Sequence, residues 1–126
     1  MPLLDVAALP QPDHVDLGTV EAALIQAVAA ELDEEPSGTW VVWRALEPGR
    51  YAESGNAPAL QPASTLPPLV RVIAYEGRSQ EIVARVLVAV AETLVRELGL
   101  AAGNAFVMWD ELHAGRVYTG GRVLGA

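Results

Sequence analysis

Pro2 is the residue on which chemistry could turn. A proline directly behind Met1 is small enough for the methionine to be trimmed, and trimming leaves a secondary amine at the mouth of the apolar run Leu3-Leu4-Asp5-Val6. An α-amine in the open titrates near ~8. Desolvation and a nearby cation lower that value toward neutrality, and a base poised near pH 7 suits proton abstraction next to a carbonyl. The plainer alternative is that Pro2 only begins a strand. Arg78, in the turn Glu76-Gly77-Arg78-Ser79, can grip a carboxylate with two parallel hydrogen bonds, as lysine cannot. Its plainer role is that of a surface arginine at a helix start. Arg71 and Tyr75 stand four apart in a strand-like stretch, so period-two alternation puts them on one face. For Arg71 the plainer role, an ion pair with an acidic side chain, is slightly favoured.

Composition removes other chemistries. The chain has 126 residues and no cysteine, so thiolate catalysis, disulfides and thiolate-held metals are excluded. All 8 cations are arginine, which excludes a lysine Schiff base. A net charge of −8 argues against nucleic acid and anionic membrane surfaces as partners. His14 and His113 lie far apart in turn-like stretches, with no Asp or Glu at ligand spacing, so no metal site is expected. The start lacks a basic region, and the apolar stretch near Ile82 to Ala91 carries Arg85 and is too short for a bilayer. A cytoplasmic protein without membrane contact is the expectation, as one domain over 1–126.

The elements that must position these residues follow from periodicity. Leu3 to Leu9, bounded by Pro10-Gln11-Pro12, reads as a buried strand. With Asp16 as N-cap, Val20, Ala23, Leu24, Ala27, Val28 and Leu32 recur at helical spacing until Glu34-Glu35-Pro36. Thr39 to Leu46 reads as a second strand. Residues 52–67 are an irregular connection with little to bury. Pro68 to Tyr75 then reads as a third strand, and Ser79 caps a helix carrying Val83, Val86, Leu87, Val90, Leu94 and Leu98 up to Gly99. Ala105 to Trp109 is the fourth strand, and Val117 to Leu124 a short terminal one.

The second half repeats the first without a gap. Pairing Pro2 with Pro68, Trp40 with Phe106 and Arg50 with Arg116 gives one offset, since 68−2, 106−40 and 116−50 are all 66. The repeat spans 2–51 and 68–118. Each copy is a β-α-β unit, and right-handed crossovers make its two strands parallel. The fold class predicted is α+β: duplicated β-α-β units forming a four-stranded sheet with two helices on one face. The uncovered face would carry aliphatic and aromatic residues, a patch that points to burial against other subunits.

The duplicated unit, the proline behind Met1 and the Glu76-Gly77-Arg78-Ser79 turn resemble the tautomerase superfamily, which includes 4-oxalocrotonate tautomerase and macrophage migration inhibitory factor. The long fused branch is the nearest in pattern, with malonate semialdehyde decarboxylase and cis-3-chloroacrylic acid dehalogenase. Coverage runs from Pro2 to Leu124, and Gly77-Arg78-Ser79, Glu111 and Gly121-Arg122 fit the dehalogenase pattern. The resemblance implies a homotrimer without cofactor, with Pro2 as catalytic base or acid and Arg78 holding a substrate carboxylate. The chain departs from the pattern elsewhere. Tyr75 stands where the dehalogenase has a second arginine, Met108 where it has a tyrosine, and Thr119 where it has a water-activating glutamate. Gly38 replaces the decarboxylase's aspartate. These departures argue against dehalogenation and decarboxylation.

The expected activity is therefore that of a tautomerase-like, cofactor-independent isomerase acting on small 2-oxo or enol acids. Pro2 would be its base, with Arg78, Tyr75 and Arg71 holding a carboxylate-bearing substrate. The alternatives are a non-catalytic trimer of the same fold that binds a small acid or a protein, and a regulatory ferredoxin-like domain.

Overall fold

The computed structural model describes residues 2–125. Strand β1 (Leu3–Ala8) leads into helix α1 (Leu17–Leu32), and a single 3-10 turn at Pro36–Gly38 precedes β2 (Trp40–Ala45). The second half gives β3 (Leu69–Tyr75), α2 (Gln80–Leu98) and β4 (Phe106–Leu112). Two short strands follow, β5 (Tyr118–Thr119) and β6 (Arg122–Val123).

Local chemistry explains the helix ends. The Asp16 carboxylate accepts from the Gly18 N–H, and the Ser79 hydroxyl accepts from the Ile82 N–H, each satisfying an orphan donor of the first turn. Both helices close on a left-handed residue, Asp33 (φ 53°) in α1 and Gly99 (φ 67°) in α2.

Among the described residues, four strands form one sheet in the order β2-β1-β3-β4. The outer pairs are parallel, Leu3 opposite Trp40 and Leu69 opposite Phe106, and the central β1–β3 pair is antiparallel, Leu3 opposite Ile73. The two parallel pairs thus share one register, displaced by the offset at which the two halves of the sequence align. This is the α+β arrangement expected, and its parallel pairs exclude the ferredoxin-like alternative, which required an antiparallel sheet in another order.

Alternation divides each strand between two faces. Leu4, Val6, Val70 and Val72 turn toward the helices and meet Val20, Leu24 and Val28 of α1 and Val86, Val90, Leu94 and Leu98 of α2. Trp43 and Trp109 pack against that core. The opposite face has no helical layer. It carries Trp40, Val42, Phe106 and Met108, each about half exposed.

Two segments differ from the sequence-based expectation. Residues 113–125 do not add a strand to the main sheet. They fold back as a β5–β6 hairpin, because Gly120 (φ 62°) and Gly121 (φ 85°) supply the two successive positive φ angles that a tight hairpin turn needs. The connection before β3 does bury something. Leu66 is in the core, and the Gln61 and Asn104 amides hold its backbone through the Leu66 carbonyl (2.8 Å) and the Ala63 and Thr65 carbonyls (3.0 and 3.1 Å). Polar side chains there replace the hydrogen bonds that regular structure would provide.

Candidate active site

The antiparallel centre of the sheet brings the start of β1 to the end of β3. Leu3 lies opposite Ile73, so Pro2 stands beside Ala74 and next to the turn that carries Arg78. Pro2 is fully buried, and its carbonyl accepts from the Trp40 N–H at 3.0 Å. Met1, on whose removal the Pro2 amine depends, lies outside the described residues.

Arg78 is held rather than free. Gly77 takes φ 109°, a conformation open to glycine alone without strain, and this reverses the chain between Glu76 and the Ser79 cap. The Arg78 guanidinium folds back, donating from Nη1 to the Tyr75 carbonyl (3.3 Å) and from Nη2 to Glu34 Oε2 (2.5 Å). Its side chain is only 20% exposed. Glu34 follows the left-handed Asp33 at the end of α1, and its N–H bonds the Ala29 carbonyl at 3.0 Å. The pair therefore ties the end of α1 to the turn between β3 and α2.

Arg71 and Tyr75 lie on the uncovered face, as alternation requires. Arg71 sits mid-sheet, about 13 Å along the strand from Tyr75 at roughly 3.3 Å per residue. It is one member of a charged row crossing all four strands. Arg44 of β2 bonds Asp5 of β1 through Nε (3.1 Å) and Nη2 (3.3 Å). Arg71 of β3 approaches Asp5 at 3.9 Å and bonds Asp110 of β4 at 2.5 Å. The structure thus brings Pro2 and Arg78 to one end of the sheet and Tyr75 to the same end on the other face. Arg71 is not brought to that end. Met108 is half exposed on the uncovered face, Thr119 is in β5 and Gly38 closes the 3-10 turn.

A cavity of about 270 Å³ opens beside Tyr75, between Leu112 and the terminal hairpin, whose Ala114, Val117, Leu124 and Gly125 line it. Gly125 packs so tightly that a Cβ there would lie 2.9 Å from the Ala114 Cβ. At its rim Glu76 uses both oxygens, Oε1 to His113 Nδ1 (2.9 Å) and Oε2 accepting from the Ala114 N–H (2.9 Å). The hydrogen bond from Glu76, then its charge, raises the His113 pKa above the ordinary imidazole value. The hydrogen bonds from His113 and from Ala114, in that order, lower the Glu76 carboxyl below its usual range.

This pair was missed in the sequence, where His113 has no acidic residue at ligand spacing. The available signal was register. Tyr75 is opposite Leu112 in a parallel pair, so the next residue of each strand, Glu76 and His113, must also meet. Among the described residues no three His, Cys, Asp or Glu side chains gather as a metal site. No helix among them is long and apolar enough to cross a membrane.

Neither a family model nor a curated protein matches the sequence. Solved structures match its architecture over nearly the full length. A native fused 4-OT superposes with a TM-score of 0.84 at 20% identity, covering 96% of this chain and 94% of its own. A fused 4-OT that is a symmetric trimer gives 0.82 at 16% identity, over 98% and 95% of the two chains. Malonate semialdehyde decarboxylase gives 0.73 at 16% identity, over 95% and 91%. With two parallel pairs joined antiparallel at the centre and both helices on one face, this chain has the fold of the tautomerase superfamily.

Proposed function

We propose that the protein is a tautomerase-like, cofactor-independent enzyme that moves a proton between oxygen and carbon in small 2-oxo or enol acids. The observation that carries this reading is the placement of Pro2, fully buried, at the same end of a tautomerase-fold sheet as the Arg78 turn. With Met1 removed, the Pro2 amine takes the enol hydroxyl proton and the ammonium formed delivers a proton to the carbon, regenerating the amine, so charge and protons balance. Arg78 holds the substrate carboxylate by exchanging it for the Glu34 carboxylate, a like-for-like replacement at the same guanidinium. Electrostatic stabilisation of the enolate then requires a donor near its oxygen. Tyr75 is proposed for that role, and because it faces away from Pro2 it would serve a site completed by another copy. Arg71 stays with Asp5 and Asp110 in this scheme, one member of a charge-balanced row on the face that copies share.

That face supports assembly as a homotrimer. It is uncovered, rich in Trp40, Val42, Phe106 and Met108, and its charges are already paired in the plane, so a second apolar face can cover it at modest electrostatic cost. A fused 4-OT of this fold is a symmetric trimer. Light scattering should return about three times 13.3 kDa.

The test is Pro2→Ala in a ketonisation assay with phenylenolpyruvate or 2-hydroxymuconate, on protein whose intact mass shows Met1 removed. Turnover should fall roughly 100-fold or more, the usual size of a lost general base. Unchanged turnover would take the proline out of the mechanism. A second reading, a non-catalytic trimer that binds a small acid or a protein partner, is favoured by the Glu34 carboxylate already seated on Arg78. Binding of small carboxylates without any turnover would select it.

A further inference from the structure

We infer that the hydroxyl of Thr39 is the hydrogen-bond partner of the Pro2 amine and positions it for proton transfer. The inference rests on the proposed role of Pro2 and adds a residue which that role did not include.

Thr39 is 4% exposed, and its Oγ1 is buried with no hydrogen-bond partner among the described residues. Such a hydroxyl is costly to leave unpaired, and buried polar groups in folded proteins nearly always find partners. Its own backbone is not the reason, because the Thr39 N–H already bonds the Pro36 carbonyl at 3.0 Å. Only the side chain is left over.

Register says what lies beside it. Thr39 is extended (φ −109°, ψ 128°) and directly precedes Trp40, which is opposite Leu3. Thr39 is therefore opposite Pro2, and the Trp40 N–H to Pro2 carbonyl bond of 3.0 Å clamps the two strands there. Leu4 and Val41 are paired and both pack into the helix-facing core. Two residues back along each strand, Pro2 and Thr39 share that face, with neighbouring strands only about 4.8 Å apart. On the other flank of Pro2 stands Ala74, whose side chain has no polar atom. Of the side chains of the two cross-strand neighbours, that of Thr39 alone can bond the amine. Charged groups at this end include Arg78 and Glu34, bonded to each other, Glu76 and His113, bonded to each other at the cavity rim, and Glu111 and Arg116, whose charges act on His113.

Chemistry explains why the hydroxyl is unpaired. A proline nitrogen within a peptide bond has no proton to give and no available lone pair. As a free terminal amine it has a lone pair, and as ammonium it has two protons. Thr39 is thus matched to the trimmed chain. Its β-branch leaves few χ1 rotamers, so the oxygen is held rather than searching.

The experiment compares wild type, Thr39→Val and Thr39→Ser, each confirmed by intact mass to begin at Pro2. The rate at which phenyl isothiocyanate modifies the Pro2 amine is followed against pH by peptide mass mapping. Because an acceptor oxygen stabilises the ammonium, Thr39→Val should move the pH midpoint toward acid by roughly half a unit or more, while Thr39→Ser keeps the wild-type midpoint. Should Val prevent folding, Thr39→Ala against Thr39→Ser provides the same contrast. Equal midpoints for Val and wild type, or a Ser variant that behaves like Val, would overturn the inference. Labelling needs no turnover, so this result is separate from a failure of Pro2→Ala to affect ketonisation. A protein that keeps Met1 in its native host would overturn both.

Discussion

Arg78 and Glu34, 44 residues apart, are joined by a hydrogen bond of 2.5 Å from Nη2 to Oε2 that seats an internal carboxylate on the guanidinium. The arginine best placed to bind an acid is therefore occupied by one of the protein's own. A ligand carboxylate bound as proposed would have to compete with Glu34, and the strength of that competition would set its affinity.

Replacing Glu34 with Gln removes the competing charge while keeping the side chain's size. Affinity for a small 2-oxo acid, measured by calorimetry, should rise about 5- to 10-fold, since charge-assisted hydrogen bonds of this kind are roughly twice as strong as neutral ones. Arg78→Lys should lower it by a similar factor, because the planar fork is lost. If both variants bind as wild type does, the acid binds elsewhere.

Asp5 bridges Arg44 and Arg71 at the middle of the charged row. Asp5→Ala leaves two arginines without their shared partner on the uncovered face. In an isolated subunit such exposed pairs contribute little to stability. If subunits cover this face as proposed, the two unpaired arginines would weaken their association. Light scattering over a dilution series should show the variant dissociating at concentrations where wild type stays assembled. Identical dilution profiles would place the row outside any interface.

The Glu76–His113 pair makes the docking of residues 113–125 depend on pH. His113 has a raised folded pKa, so its contribution is complete below about 6.5, the unfolded value, and is lost as pH rises through the folded value. Glu76 has a lowered folded pKa, so its contribution is present above about 4.3 and is lost as pH falls through the folded value. The hairpin should be held best between these limits, near pH 5–6.5. Proton NMR should show His113 titrating above an unperturbed imidazole, and Glu76→Gln should bring it back. A midpoint indifferent to Glu76→Gln would remove the pair as its cause.

Leu24 is fully buried between the helices and the sheet. Leu24→Ala should cost roughly 2–5 kcal/mol in urea unfolding, through lost burial and the cavity left behind. Tyr118→Ala, at a residue 72% exposed, should stay within about 0.5 kcal/mol. Comparable losses at both positions would contradict the core described here.

Much of the fold could be read from the chain alone, because the signals are local. Asp16 and Ser79 cap the next turn of their own helix, Gly99 stops α2, and the stripe from Val83 to Leu98 needs only the helical period. The β-α-β reading of each repeat carried the parallel pairing of both outer strands, while the place of Pro2 behind Met1 and the Gly77-Arg78-Ser79 turn brought Pro2 and Arg78 forward as candidates. Tertiary structure decided what those candidates touch. The Arg78–Glu34 and Glu76–His113 pairs join residues 44 and 37 positions apart, Arg71 is drawn into a row across four strands, and the backbone around buried Leu66 is held by amides from Gln61 and Asn104. Such contacts follow from strand register and from where each helix ends, and a shift of one residue along a strand turns a side chain to the opposite face.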